Sequence, residues 1–246
     1  MNLRSLQQHW NSLGRHDPLQ AILARSKNKD VPWNVDHFFR SGVLEIETAL
    51  QYAESFRPFA KKEDALDFGC GVGRLTEAIA RHFKRVIGVD LSPAMIEHAR
   101  KFQKSDARVE YLVNETADLR LFGDASFDLV YSSITLQHMP ARYAKRYIAE
   151  FLRVLRPAGM LIFQLPSQRK GRGPRLRTQA HELFGSIVHP FAPHVVMRGT
   201  PKEDVVRVIT ENGGEILDIA EDQSAGPTWE SYRYLAQRSQ SRIPNP

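Results

Sequence analysis

The chain has 246 residues, of which 42% are hydrophobic and 25% are charged, a composition ordinary for a globular protein. This length accommodates one complete α/β domain with an added flap but is short for two independent domains. No apolar run approaches the roughly 18 residues that span a bilayer. The first ten residues carry polar side chains where a secretory signal would be apolar, so we expect a cytoplasmic protein without membrane insertion.

The formal net charge of +6 favours an anionic partner of some kind, although surplus Lys and Arg residues often only solvate a surface. The single cysteine, Cys70, excludes an internal disulfide and a cysteine-rich zinc or iron–sulfur site. Charge and cysteine content therefore narrow the class of protein without naming its ligand.

Residues 1–60 predict a helical N-terminal extension or lid. Within it, Ser41 is expected to cap a helix that ends before Pro58. Apolar residues recur on neighbouring turns of this helix at Ile46, Leu50, Ala53 and Phe56. The segment of residues 31–40 is rich in aromatic side chains and is expected to pack on the core or on a bound ligand.

From residue 64 onward, short β-rich runs alternate with helical stretches, which is the pattern of a parallel sheet with crossover helices. The candidate strands are residues 65–68, 85–90, 109–113, 127–131 and 160–164. The candidate helices between them are residues 74–83, 93–102 and 141–155. This alternation predicts a doubly wound α/β fold.

Residues 166–200 interrupt the alternation and are expected to form an inserted flap over the sheet. The flap contains a basic cluster, formed by Arg169, Lys170, Arg172, Arg175 and Arg177. A helix near residues 202–212 and two strands at 215–220 and 231–235 follow it. Because the loop between these two strands is too short for a crossover helix, they are predicted to be antiparallel neighbours.

The strongest motif is the glycine loop Asp67-Phe68-Gly69-Cys70-Gly71-Val72-Gly73-Arg74, between a predicted strand and a predicted helix. Glycines let the backbone turn sharply and let a ligand approach the main chain closely. A dinucleotide-binding fingerprint would place its third glycine at position 74, where this chain has Arg. The loop therefore suits a smaller polar group better than a pyrophosphate.

Asp90 ends the next predicted strand, seventeen residues after Gly73. A carboxylate in that position can accept hydrogen bonds from both hydroxyls of a ribose. Together, the glycine loop and Asp90 indicate a nucleoside-binding site.

These two segments, residues 67–73 and 89–95, resemble the first and second motifs of the class I S-adenosylmethionine-dependent methyltransferases. Later segments resemble that family in the same order, at residues 114–119, 126–130 and 152–160. The resemblance implies a Rossmann-like α/β fold with a seven-stranded, mostly parallel sheet and an antiparallel last strand. It also implies S-adenosylmethionine as the cofactor and residues 61–246 as the catalytic domain.

The resemblance further implies roles for single residues. Asp67 and the main chain of the glycine loop would hold the methionine portion, Asp90 the ribose, and Leu91 one face of the adenine. Glu115 and Thr116 would meet the adenine edge, but Glu115 departs from the commoner Gly-Asp-Ala pattern, so a structural role is an open alternative. The implied cofactor-binding residues are Asp67, Gly69, Cys70, Gly71, Gly73, Asp90, Leu91, Glu115 and Thr116.

A neutral oxygen acceptor must lose a proton during methyl transfer, and His138, after the fourth predicted strand, is the candidate base. The alternative is that His138 begins the next helix or supports the cofactor loop. Weaker candidates in the flap are His181, His189 and His194. No Asp or Glu constellation accompanies these histidines, so no metal site is predicted.

The leading hypothesis for the function is methylation of a small or medium-sized metabolite at a hydroxyl or carboxylate oxygen. If the basic cluster faces the substrate, the methyl acceptor is expected to be anionic. If the cluster faces outward, its residues are surface charge. RNA methylation is a second hypothesis, disfavoured because the cluster lacks interleaved aromatic residues for base stacking. A third is a non-catalytic protein that binds the cofactor. The sequence leaves the oligomeric state open.

Overall fold

The computed structural model describes residues 2–16, 18–22, 34–104, 108–171 and 196–240. Its helices are α1 (Leu3–His16), α2 (Pro18–Ile22), α3 (Val35–Phe56), α4 (Arg74–Ile79), α5 (Pro93–Phe102), α6 (Ala141–Val154) and α7 (Lys202–Glu211). Its strands are β1 (Asp64–Phe68), β2 (Arg85–Asp90), β3 (Val109–Val113), β4 (Phe127–Ser132), β5 (Leu155–Arg169), β6 (Gly214–Glu221) and β7 (Trp229–Arg238). A short 3₁₀ turn, Leu136–His138, precedes α6.

The strands form one seven-stranded sheet in the order β3-β2-β1-β4-β5-β7-β6. The first five strands in this order pair in parallel, whereas β7 is antiparallel to both β5 and β6. The predicted doubly wound sheet with an antiparallel last strand is therefore confirmed. Because the strand order reverses between β1 and β4, a crevice opens at their carboxyl ends, where ligands bind in such sheets.

Helices cover both faces of the sheet, so the central strands are buried on both sides. All six residues of β4 are buried. On β5, Phe163 packs with Phe151 of α6 and Ile209 of α7, whereas its neighbour Ile162 packs with Ile46 of α3. Successive side chains of β5 point to opposite faces of the sheet, so the core has two layers, one on each face.

Helix α3 begins six residues before the cap predicted from the sequence. Asn34 is the N-cap, and its side-chain oxygen accepts a hydrogen bond from the His37 backbone N–H at 2.9 Å. Ser41 lies inside the helix, where its hydroxyl donates to the Phe38 carbonyl at 2.7 Å. The prediction was wrong because Phe38 and Phe39 are buried against the core, which extends the apolar face of the helix toward its N-terminus.

Two further boundaries differ from the sequence prediction. Strand β5 runs on to Arg169 because its last residues pair with β7, with Arg169 opposite Trp229. The first residues of the predicted flap therefore belong to the sheet, and residues 172–195 of the flap lie outside the described residues. Helix α4 ends at Ile79 rather than residue 83. None of the described helices combines the length and hydrophobicity that crossing a bilayer requires.

Candidate cofactor-binding cleft

The glycine loop turns sharply after β1 and brings backbone close to neighbouring side chains. Gly69, Gly71 and Gly73 all have positive φ angles, of 76°, 54° and 87°. A β-carbon at Gly69 would lie 2.2 Å from the Thr135 side chain, and one at Gly73 would lie 2.2 Å from the Tyr111 hydroxyl. Both the dihedral angles and the contacts therefore require glycine at these positions.

The carboxylate of Asp90, at the end of β2, forms a hydrogen bond with the backbone of this loop. The Gly71 backbone N–H donates to one carboxylate oxygen of Asp90 at 3.0 Å, and the Ser92 N–H donates to the other at 2.8 Å. The N–H groups of Gly69 and Cys70 donate to the Val89 carbonyl at 2.8 and 3.0 Å. An ionised carboxylate has about four acceptor sites, so Asp90 keeps acceptor capacity for a ligand beyond these two bonds.

A cavity lies between this loop, the ends of β2 and β4, and the N-terminal helices. Its enclosed part holds about 100 Å³ of space, and the rest opens to solvent. Predicted site residues in its wall are Gly69, Cys70, Gly71, Asp90, Leu91 and His138. Polar residues of the wall that were not among the predicted site residues are Arg74, Asn114, Ser133, Thr135 and Tyr147.

Helix α1 forms the roof of the cavity through Leu3, Leu6 and Trp10. Gln7 fixes the helix by donating to the Glu115 carboxylate at 2.8 Å, and Asn11 accepts a hydrogen bond from the Ala94 N–H at 2.9 Å. The N-terminal extension is therefore attached to the loops that follow β2 and β3.

Four residues predicted to contact the cofactor do not line the cavity. Asp67 is buried, and its carboxylate accepts a hydrogen bond from the Thr76 hydroxyl at 2.6 Å. Gly73 packs against Tyr111, and Glu115 accepts from Gln7. The fourth, Thr116, uses its hydroxyl to donate to the side-chain oxygen of Asn114 at 3.0 Å. Their contacts are thus within the protein, and Asn114 rather than Glu115 reaches the cavity from the β3 loop.

His138 lines the cavity, but both of its ring nitrogens have protein partners. Nδ1 donates to the Val196 carbonyl at 3.3 Å, which leaves Nε2 to accept from the Gln137 side-chain amide at 3.2 Å. The ring also contacts Trp10, with 5.0 Å between ring centroids. Burial lowers the pKa of His138 to about 4, so the imidazole is neutral at pH 7.

The other predicted polar residues fall mostly outside the described part of the chain. His181, His189 and His194 lie there, as do Arg172, Arg175 and Arg177 of the basic cluster. Of the remaining cluster members, Arg169 lies over the Trp229 ring, 5.2 Å from its centroid. Lys170 pairs with the opposite strand, donating its backbone N–H to the Thr228 carbonyl at 2.9 Å.

Asp67 makes the stability of the protein dependent on pH. Burial raises the pKa of its carboxyl to about 7, although Thr76 and the nearby Arg74 guanidinium favour the ionised form. In the unfolded chain the same group has a pKa of about 3.9. The unfolded state therefore releases this proton first, and the free energy of unfolding falls as the pH rises from about 4 to about 7, by at most about 1.4 kcal/mol per pH unit for one proton.

The variant Asp67→Asn is expected to remove this slope, because an amide oxygen still accepts from Thr76 but does not titrate. Urea unfolding at several pH values between about 4 and 7 measures the effect. Asp124→Asn is the matched control, since the side chain of Asp124 is 73% exposed. An unchanged slope in Asp67→Asn would contradict the assignment.

Comparison with known proteins identifies a methyltransferase domain around this cleft. Residues 66–163 match a family model described as a methyltransferase domain. A trans-aconitate 2-methyltransferase from Deinococcus radiodurans is 33% identical over 163 residues, which cover 65% of this chain and 59% of that protein. A malonyl-[acyl-carrier protein] O-methyltransferase from Serratia marcescens is 36% identical over 104 residues, covering 41% of this chain and 37% of that protein. The chain thus spans less than two thirds of the length of these relatives.

A solved structure shares the fold over nearly the whole chain. Magnesium protoporphyrin IX methyltransferase from Synechocystis, crystallised with bound SAH, superposes with a TM-score of 0.66 at 19% identity, covering 97% of this chain and 100% of that one. The domain match lies on the strands and loops that build the cleft, including the glycine loop and Asp90. The chain therefore contains a methyltransferase domain at residues 66–163, and its fold is that of the S-adenosylmethionine-dependent methyltransferases.

Proposed function

We propose that this protein transfers a methyl group from S-adenosylmethionine to an oxygen of a small or medium-sized metabolite, and that this oxygen belongs to a carboxylate. We choose a carboxylate as the acceptor because of His138. Its imidazole is neutral, and both of its ring nitrogens form hydrogen bonds within the protein. We also propose that residues 1–60 act as the lid and residues 61–246 as the catalytic domain.

The cleft offers groups suited to each part of the cofactor. The remaining lone pairs of Asp90 can accept the two ribose hydroxyls. Leu91 and, from α1, Leu6 and Trp10 supply apolar surface for the adenine. Gly69 and Gly71 line the cavity and offer the methionine end a wall without side chains. When bound, S-adenosylmethionine supplies a methyl group that its positive sulfur already activates.

With an activated methyl group, the protein has to position the acceptor and leave it a free lone pair. A hydroxyl would have to give up its proton to a nearby base. The pKa of His138, about 4, makes its ring a weak proton acceptor, and Gln137 already donates to its Nε2. A carboxylate has a pKa near 4 and is ionised at neutral pH. It therefore needs no base, which is consistent with the environment of His138.

A positive charge beside His138 also favours an anionic acceptor. Arg198 donates its backbone N–H to the Gln137 carbonyl at 2.7 Å, and its guanidinium donates to the His138 carbonyl at 3.3 Å. These bonds hold the Arg198 guanidinium against the backbone of the 3₁₀ turn, whose His138 side chain lines the cavity. The name of the Serratia relative specifies O-methylation of a malonyl group, which supports oxygen as the acceptor atom.

A panel of acceptors with methyl-labelled cofactor tests the proposal. Di- and tricarboxylates are expected to take up label as methyl esters, which release it as methanol in mild alkali, whereas phenols, alcohols, amines and RNA are expected not to. Matched pairs of each acid with its amide control for binding of the carbon skeleton. Label found only in amines or RNA would contradict the proposal.

The variant His138→Asn separates a positioning role from a catalytic base. Asparagine can still donate to the Val196 carbonyl, so kcat is expected to stay within about tenfold of the native value, whereas loss of a general base costs roughly 10²- to 10⁴-fold. The native rate is expected to be flat from about pH 6 to pH 9, because the acceptor is ionised throughout this range. A rate that rises with a pKa near 6.5 and loses this limb in the variant would contradict the proposal.

A further inference from the structure

The loop after β4 contains a residue in a backbone conformation that its type rarely adopts. Ile134 has a φ angle of 56°, in the left-handed region, and its side chain branches at the β-carbon. Such a residue stays in this conformation only when surrounding contacts fix its backbone, and strain of this kind is frequent at ligand sites. Ile134 lines the cavity between Ser133 and Thr135. The contact that holds this loop therefore affects the shape of the cavity wall.

Gln164 of β5 provides that contact from inside the protein. It is 3% exposed, and its side-chain oxygen accepts a hydrogen bond from the Ile134 backbone N–H at 3.2 Å. Its amide nitrogen donates to the Ser231 hydroxyl at 2.7 Å and to the side-chain oxygen of Gln137 at 3.3 Å. Both amide hydrogens and the oxygen of Gln164 are therefore used within the protein, behind the wall that the described residues form.

The hydrogen bonds continue from Gln137 to His138 in the 3₁₀ turn. The Gln137 side-chain nitrogen donates to His138 Nε2 at 3.2 Å, and His138 Nδ1 donates to the Val196 carbonyl at 3.3 Å. Backbone groups at the two ends fix the direction of this chain, because the Ile134 N–H can only donate and the Val196 carbonyl can only accept. Each side-chain amide therefore has one permitted orientation, and the proton of neutral His138 is on Nδ1.

The groups around His138 keep its ring uncharged at neutral pH. Burial has the largest effect and lowers the pKa of the ring, and the positive charges of His9 and Arg198 lower it further. The carbonyls of Val196 and Ile134 favour the protonated ring, but burial outweighs them. In a neutral imidazole, the hydrogen bonds to the two nitrogens decide which of them carries the proton. The chain of side-chain amides therefore sets the tautomer of this ring.

We propose that Gln164 positions the methyl acceptor for transfer, by holding the loop after β4 and by orienting His138 through Gln137. This inference rests on the proposed function, in which the acceptor lies beside His138. One side chain of β5 fixes two parts of the acceptor wall, Ile134 through its backbone and His138 through its tautomer. Methyl transfer depends on the in-line position of the acceptor, so a small displacement of this wall slows it. Gln164 is a positioning residue, because it acts through these neighbours.

The variant Gln164→Met separates this role from a general structural one, because methionine has a similar length but cannot accept from Ile134 or donate to Gln137. The kcat/KM for a di- or tricarboxylate acceptor is expected to fall roughly 10- to 100-fold, the scale for a misplaced reactant. The affinity for S-adenosylmethionine, measured by calorimetry, is expected to stay within about threefold, because Asp90 and the glycine loop keep their contacts. Gln51→Met, at an exposed position of α3, is the matched control and should leave both values native.

An unchanged kcat/KM in folded Gln164→Met overturns the proposal. A loss of affinity for S-adenosylmethionine as large as the loss of kcat/KM assigns Gln164 a structural role and also overturns it. If this variant does not fold, Gln137→Met takes its place, since it breaks the link to His138 but keeps the bond from Ile134 to Gln164. The same selective loss for the acceptor is expected there, and native kinetics in that variant would refute the proposal.

Nitrogen NMR of the native protein with isotope-labelled histidine tests the chain of hydrogen bonds directly. The His138 signals, identified by their absence in His138→Asn, are expected to show a protonated Nδ1 and an unprotonated Nε2 at pH 7. A proton on Nε2 overturns the proposal. If label enters only acceptors other than carboxylates, the proposed function fails, whereas the kinetic comparison with that acceptor still tests Gln164. Absence of transfer to every acceptor overturns both.

Discussion

The cleft depends on one carboxylate that receives two backbone N–H groups from different segments. Asp90, at the end of β2, accepts from Gly71 in the glycine loop and from Ser92 at the start of α5. These bonds fix the distance between the loop after β1 and the loop after β2, which are parallel neighbours in the sheet. A cofactor that uses both loops therefore meets a site that is already assembled, so less ordering is required on binding.

The N-terminal helices complete this site from outside the sheet. Helix α1 attaches to the β2 and β3 loops through Gln7 and Asn11, and it places Trp10 against His138. Helix α3 holds the Arg74 side chain through Glu45. The two helices thus contact different residues of the cavity wall. The N-terminal extension therefore lines the cavity and supplies hydrogen-bond partners to buried residues of its wall.

The sheet and two loops of the cleft were predictable from the sequence, because each has a local pattern of hydrophobicity or of glycine and acidic residues. Strand alternation predicted the sheet, and the glycine spacing with Asp90 predicted the two loops that the structure brings together, because the carboxyl ends of neighbouring parallel strands share one edge. Contacts between segments distant in sequence were not predictable: nothing local indicates that Glu45 would pair with Arg74 or that Trp10 would reach His138. The hydrogen bond between Asp67 and Thr76, on the buried side of α4, was likewise not predicted.

Calorimetry of S-adenosylmethionine binding to the native protein and to Asp90→Asn tests the central claim most directly. An amide has one acceptor oxygen, and it presents its NH₂ group to a backbone N–H that needs an acceptor. The variant therefore cannot accept hydrogen bonds from both loops and from both ribose hydroxyls. The account predicts affinity that is roughly 10- to 100-fold weaker. Glu97→Gln, which changes an exposed carboxylate on α5 that pairs with Lys101, should retain native affinity. Native affinity in a folded Asp90→Asn variant would contradict the account.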